Sequence, residues 1–200
     1  MKPTRHFAAL LFFALATLAL LPATAAADED AGERADVEVI EFFWYGCPHC
    51  YRFQSELHDW LPDTPDHYDF QMVPALIADG WEVHARAFYA AQLLGELDNF
   101  HLPFYQALHQ DNRRLNSVEG IAEFAGELGI DEERFASTME SFAVESRLRR
   151  ARELNREYGL SGTPSMGVDG KLVSPRDAGS FAEMLRMVDD HAAEAGRDEG

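Results

Sequence analysis

The chain has 200 residues, which is enough for one domain, or one domain with an insertion, around a real hydrophobic core. It carries 17 Lys and Arg against 35 Asp and Glu, a formal net charge of −18 at pH 7. A surface this negative repels nucleic acids and anionic lipids, so we expect neither as a partner.

Residues 1–27 have the pattern of a secretory signal peptide. Lys2 and Arg5 precede an apolar run over residues 7–21, and residues 25–27 are the small residues of a cleavage site. The apolar run is shorter than the roughly 20 residues that a membrane-spanning helix needs. We therefore expect an exported protein that is soluble after cleavage; an uncleaved N-terminal anchor is the alternative.

Residues 36–79 predict the first part of an α/β fold. VEVIEFFWY (37–45) is rich in β-branched and aromatic residues, which is typical of a central buried strand. Apolar residues then recur at helical spacing over 47–61, which predicts a helix. DFQMVPAL (69–76) predicts a second strand.

Residues 80–159 predict an all-helical insertion, because helical patterns follow one another with almost no strand signal between them. Capping residues and apolar spacing predict five helices, which cover 83–97, 100–109, a segment opened by Asn116, a segment opened by Asp131, and about 142–158 with Gly159 as its cap. Four arginines between Arg147 and Arg152 indicate a solvated helix face, with a docking face as the alternative.

Residues 160–195 predict a return to the sheet. SMGVDGKLV (165–173) has Asp169-Gly170 between two short apolar runs, which is a strong hairpin signal. Apolar residues at helical spacing predict a last helix over about 179–194. The whole order predicts an α/β sheet that is interrupted by a helical insertion.

Cys47 and Cys50 are the only cysteines of the chain. A disulfide across so small a loop constrains little of the unfolded chain, so a purely structural clip is a poor interpretation. Zinc needs four ligands, and haem attachment needs a histidine where Tyr51 stands, so we expect no metal. A redox-active dithiol is the interpretation that the spacing favours.

The turn before the predicted helix favours a thiolate at Cys47. Its sulfur would face the unpaired N–H groups and the positive end of the helix dipole, and Pro48 is tolerated in a first turn. His49 can add a positive charge or a hydrogen-bond donor, and the Cys50 thiol can donate as well. A stabilised thiolate makes the couple a stronger oxidant, so His49 indicates a disulfide donor.

Two further elements fit a dithiol site. Glu41 is an acid within an apolar strand, where it can relay a proton to or from Cys50 if its pKa is raised; a surface position is the alternative. Thr163-Pro164 precedes the hairpin. A cis proline there would leave the backbone of Thr163 free to pair with an extended substrate, although an ordinary turn proline fits equally well.

The Cys47-Pro48-His49-Cys50 motif, Glu41 and Thr163-Pro164, with helices between them, resemble the DsbA family of periplasmic thiol:disulfide oxidoreductases. The resemblance implies a thioredoxin fold with an inserted all-helical domain, an exposed nucleophile at Cys47, a buried Cys50 and a cis bond before Pro164. It also implies no cofactor beyond the Cys47–Cys50 disulfide.

The resemblance further implies a protein that oxidises unfolded or partly folded exported proteins and is reoxidised by a DsbB-like membrane partner linked to quinone. We expect it to be a monomer. Two features depart from the family: the N-terminus looks too short for an extra strand, and Gln54 stands where some members have a second acid. The alternatives are an isomerase or reductase of the same fold, or a non-enzymatic holdase or binding module with a structural Cys pair.

Overall fold

The computed structural model describes residues 36–198, with side chains to residue 195. The expected signal peptide, residues 1–27, and the segment that would hold an extra N-terminal strand lie outside the described residues, so both stay predictions. Among the helices of the described part of the chain, none combines the length and the apolar character that crossing a bilayer requires.

A four-stranded sheet organises the fold. Its strands are β1 (Val37–Phe43), β2 (Tyr68–Pro74), β3 (Ser165–Val168) and β4 (Lys171–Val173), in the spatial order β2-β1-β3-β4. β1 runs parallel to β2 and antiparallel to β3, and β3 and β4 form an antiparallel hairpin. β1 therefore has a neighbour on each edge, and six of its seven residues are buried, which explains why its sequence is largely apolar.

The β3–β4 hairpin turns where the sequence predicts it. Asp169 and Gly170 have φ angles of 44° and 79°, the positive values that a two-residue turn of type I′ requires at both central positions. The turn fixes the pairing of Val168 with Lys171.

Eight helices lie in the described part of the chain, five of them between β2 and β3. The helices are α1 (Pro48–Trp60), α2 (Glu82–Leu94), α3 (Leu97–His109), α4 (Val118–Glu127), α5 (Glu132–Met139), α6 (Phe142–Glu157), α7 (Pro175–Ala178) and α8 (Phe181–Asp198). Two buried apolar clusters result: a larger one that includes most of the buried residues of α2–α6, and a smaller one formed mainly by β1, β3, α1 and α8.

Several predicted helix boundaries are wrong. α2 ends at Leu94 rather than at residue 97, because Gly95 adopts a left-handed conformation (φ 73°) and its N–H bonds back to the Gln92 carbonyl. α4 is capped by Ser117 and not by Asn116, since it is the Ser117 hydroxyl that accepts from the Gly120 N–H at 3.2 Å.

The other boundaries follow the same physical rules. Asp131 caps α5 as predicted, accepting from the Arg134 N–H at 2.7 Å. The last helix begins at Phe181 rather than 179, because Gly179 (φ 84°) ends the separate short helix α7. On α6, Arg150 is exposed and pairs with carboxylates of its own helix, which agrees with a solvated face.

Candidate active site

The cysteine pair lies where β1 passes into α1. Cys47 is the N-cap of α1, with extended backbone angles, and its Sγ accepts from the Cys50 N–H at 3.4 Å. The turn is compact because Gly46 lies against the Trp44 indole: a Cβ at Gly46 would approach that ring to 2.3 Å. Trp44 in turn stacks on Trp81 with ring centroids 4.3 Å apart.

The surroundings of Cys47 favour its thiolate. Its pKa is lowered to about 5, first by a hydrogen bond with the Cys50 thiol and further by bonds with the Thr163 side chain and with the backbone N–H groups of Cys50 and His49. Partial burial acts in the opposite direction but is outweighed. A thiolate at a helix N-terminus with several donors is the arrangement that the sequence predicts.

Cys50 has the opposite environment. It is fully buried, and burial raises the pKa of its thiol well above the usual value, as does the neighbouring Cys47. The expectation of an exposed Cys47 is wrong: the residue is only 8% exposed, although it is still more accessible than the fully buried Cys50. The chain at Thr163 lies against it, with the Thr163 carbonyl oxygen 3.4 Å from Cys47 Sγ.

His49 reaches Cys47 through its backbone and not through its ring. The His49 imidazole lies on the exposed side of α1, where Nδ1 accepts a hydrogen bond from Arg52 at 2.9 Å. Because a guanidinium has only donors, Nδ1 carries no proton in this geometry. The donor that faces the sulfur is therefore the His49 backbone N–H.

Thr163 and Pro164 belong to the segment that lies next to Cys47. The peptide bond between them is cis. The Thr163 carbonyl accepts a hydrogen bond from the Cys47 thiol at 3.4 Å, which brings together two segments separated by 116 residues.

Glu41 lies fully buried on β1, so the surface alternative is wrong. Burial raises the pKa of its carboxyl to about 8, and a hydrogen bond from Gln54 only partly opposes that rise. Gln54 Nε2 donates to Glu41 Oε1 at 2.9 Å, while Oε2 has no hydrogen-bond partner among the described residues. The carboxyl is therefore mostly protonated at neutral pH.

A chain of side chains extends from Glu41, and its last two members, His101 and Tyr45, were not among the candidate site residues. His101 Nε2 contacts the Gln54 side-chain oxygen at 3.1 Å, and the Tyr45 hydroxyl contacts His101 Nδ1 at 2.7 Å. The amide oxygen can only accept, so Nε2 donates and the Tyr45 hydroxyl donates to Nδ1. Burial lowers the pKa of His101 to about 4, which agrees with a neutral ring.

Two cavities flank this region. One of about 750 Å³ lies between α1 and α3 and is lined in part by Gln54 and His101. The other, of about 320 Å³, is lined by His49 and by the segment around Thr163. Within residues 36–198, no group of three or more His, Cys, Asp or Glu side chains is placed to hold a metal ion.

Comparison with known proteins identifies the arrangement. The family profile described as a DSBA-like thioredoxin domain matches residues 38–184. The chain belongs to this family. It is 35% identical to the thiol:disulfide interchange protein DsbA of Pseudomonas aeruginosa over 154 residues, which are 76% of this chain and 73% of that protein. Its identity with the DsbA of Azotobacter vinelandii is also 35%, over 161 residues, 80% of this chain and 75% of that one.

Solved structures agree. The crystal structure of Pseudomonas aeruginosa DsbA superposes with a TM-score of 0.77 at 33% identity and covers 84% of this chain and 88% of that one. The DsbA of Xylella fastidiosa gives a TM-score of 0.73 at 30% identity, with 82% and 87% covered. The predicted thioredoxin fold with a helical insertion is confirmed, and the chain is a DsbA-type thiol:disulfide oxidoreductase.

Proposed function

We propose that this chain acts as a disulfide donor: the Cys47–Cys50 disulfide oxidises thiols of exported proteins that are still folding, by way of a mixed disulfide on Cys47. The observation that carries the proposal is that the pKa values of the two thiols are shifted in opposite directions. The pKa of Cys47 is lowered to about 5, whereas that of Cys50 is raised. Stabilising the Cys47 thiolate stabilises the reduced protein, which makes the oxidised form a strong oxidant.

The reaction takes two exchange steps. A substrate thiolate attacks Cys47 Sγ, the Cys47–Cys50 bond breaks, and the sulfur of Cys50 leaves with the electron pair and takes up a proton. A second substrate thiolate then attacks the substrate sulfur of the mixed disulfide, and Cys47 leaves as a thiolate. The substrate loses two electrons and gains a disulfide, and the protein ends as a Cys47 thiolate with a Cys50 thiol.

Glu41 is proposed as the proton source for Cys50. Cys50 cannot leave easily as a bare thiolate, because its buried position disfavours the charge. A carboxyl with a pKa of about 8 is protonated at neutral pH, yet it can give up that proton, as a general acid must. Gln54 acts as a positioning residue, since it holds one oxygen of that carboxyl.

Pro48 and Thr163-Pro164 are proposed to serve binding and geometry. Pro48 takes the first position of α1, where a missing N–H costs nothing, and leaves the following N–H groups to face Cys47. An extended substrate would pair with the backbone of Thr163, whose carbonyl carries no hydrogen bond from Cys47 when that sulfur is a thiolate or part of the disulfide.

We further propose the setting of the reaction. After removal of residues 1–27 the protein would work in the periplasm as a monomer, with residues 36–79 and 160–195 as the thioredoxin part and 80–159 as the helical insertion. The Cys47–Cys50 disulfide would be its only redox group, and a DsbB-like membrane oxidase would restore it. Thiol-bearing exported proteins would be its substrates.

The reduction potential of the Cys47–Cys50 pair, measured against glutathione, tests the direction. We expect a value closer to the about −120 mV of a strongly oxidising DsbA than to the about −270 mV of thioredoxin. A value near thioredoxin would favour the reductase alternative. Cys47→Ala should abolish oxidation of a reduced test protein; a variant that still worked fully would favour the binding-module alternative.

A further inference from the structure

The smaller cavity adjoins the reacting sulfur. It has a volume of about 320 Å³, and the residues that line it include His49, Ser161, Thr163, Ser174, Pro175 and Arg176. Thr163 forms one wall, and its carbonyl lies 3.4 Å from Cys47 Sγ. A substrate segment that reaches Cys47 along Thr163 therefore passes through this cavity, opposite the start of α7.

The charged and ring groups of the cavity are hydrogen-bond donors. Arg176 is exposed, and its guanidinium has no hydrogen bond or ion pair with any described residue. The His49 ring accepts from Arg52 through Nδ1, so its proton lies on Nε2, which has no partner among the described residues. Both groups can therefore donate to a ligand in the cavity.

Among the described side chains, no carboxylate lines the cavity. This is notable because Asp and Glu outnumber Lys and Arg by 35 to 17 in the chain. The nearest acid in sequence is Asp177, but Ser174 occupies it: the Ser174 hydroxyl donates to Asp177 Oδ2 at 2.6 Å and the Ser174 N–H donates to it at 3.3 Å. This capping box of α7 holds the Asp177 carboxylate on Ser174, and Arg176 forms no ion pair with it among the described residues.

Other arginines of the chain do form ion pairs with carboxylates, so a lack of acidic residues does not explain why Arg176 is unpaired. Arg86 pairs with Glu82 at 2.6 Å and Arg113 with Glu127 at 2.5 Å. Arg176 instead stands beside the dithiol with its donors available.

We propose that Arg176, assisted by His49, selects substrate segments that carry Asp or Glu close to the reacting cysteine. The inference rests on the proposed function and names the substrate class of the same site. A guanidinium matches a carboxylate in shape and charge and can hold it with two parallel hydrogen bonds. The net charge of the protein repels an acidic segment at long range, so the preference acts locally, within about a Debye length of Arg176.

Two synthetic peptides test the inference. Each has two cysteines, and they differ only in that Glu or Gln stands two residues from each cysteine. The second-order rate constant for oxidation of each peptide by the oxidised full protein gives an acid-to-neutral ratio. We expect Arg176→Gln to lower this ratio about two- to fivefold at low salt, as loss of an exposed ion pair predicts, and Arg176→Lys to keep most of it.

A matched control separates local selection from net charge. Arg150→Gln removes the same charge from an exposed position on α6, and it should leave the ratio unchanged. Because each ratio is taken within one variant, a general loss of activity does not alter it. An unchanged ratio in Arg176→Gln, or an equal fall in Arg150→Gln, would overturn the inference and leave the proposed function intact. If the wild type oxidised neither peptide, the proposed function would fail and the inference with it.

Discussion

The two sides of the dithiol have opposite chemistry within one turn of helix. The front side, next to Cys47, consists of backbone N–H groups, the Cys50 thiol and Thr163, and it stabilises a negative charge. The back side, behind Cys50, holds a buried carboxyl at Glu41 and neutral hydrogen-bonding groups, and it disfavours charge. The difference comes from hydrogen-bond donors on one side and desolvation on the other.

This contrast shows how a local turn sets a direction for electron flow. The electron pair gained from a substrate rests most stably on the front sulfur, because donors already point at it. The back sulfur must be protonated when it leaves, and Glu41, which accepts from Gln54 on the same helix as Cys50, is a buried acid that holds a proton at neutral pH. If the two sides were alike, neither sulfur would be the preferred thiolate.

Glu41→Gln tests the back side through stability. The pKa of Glu41 is about 8 in the folded protein and near 4.5 when unfolded, so the folded form binds a proton that the unfolded form has lost. The stability from this group is complete below pH 4.5 and is lost as the pH rises towards 8. Glu41→Gln has no such titrating group at this position. The free energy of unfolding of the variant minus that of the wild type should therefore increase over that pH range, by up to about 5 kcal/mol.

Urea unfolding of the reduced protein at a series of pH values measures this difference. Glu38→Gln is the matched control, because Glu38 lies on the same strand but is only partly buried, where it accepts from Tyr158 and Gln71. This variant keeps Glu41, so its stability should still fall between pH 4.5 and 8 as that of the wild type does. If the Glu41→Gln curve ran parallel to that of the wild type, the carboxyl would have an ordinary pKa and the back side would be solvated.

The part of the front side that α1 itself supplies, without Thr163, could be predicted from the sequence because it is local. A strand, a glycine and a proline within one short segment determine that Cys47 caps a helix, and neighbouring N–H groups follow from that position. The hairpin at Asp169-Gly170 is equally local, since its two residues supply the positive φ angles by themselves.

The back side could be predicted only in part because it depends on tertiary packing. An acid in an apolar strand singles out Glu41, but nothing in the spacing of His101 and Gln54 indicates that they meet there. The orientation of the His49 ring was missed for a related reason: side-chain partners such as Arg52 are chosen by rotamers, which the motif does not specify. The open position of Arg176 likewise depends on how α7 is placed against the Thr163 loop.

Replacing Cys50 tests the coupling between the two sides. The hydrogen bond from the Cys50 thiol is the largest cause of the low pKa of Cys47, so Cys50→Ala should raise that pKa by about 1–2 units, the value of a hydrogen bond to a charged group. Cys50→Ser keeps a donor at the same place and should raise it less. The pH dependence of thiolate absorbance or of alkylation rate measures both variants, and an equal pKa in the two would assign the effect to something other than this donor.

The smallest change is expected for the His49 ring. His49→Ala removes the imidazole but keeps the N–H that faces Cys47, so the pKa of Cys47 should rise by less than about one unit. His49→Pro also removes that N–H, at a helix position where proline is tolerated, and should raise the pKa further. The alkylation rate of Cys47 against pH compares them. A rise as large in the alanine variant as in the proline variant would return the tuning role to the imidazole, and the front side would then depend on a side-chain charge as well as on the backbone.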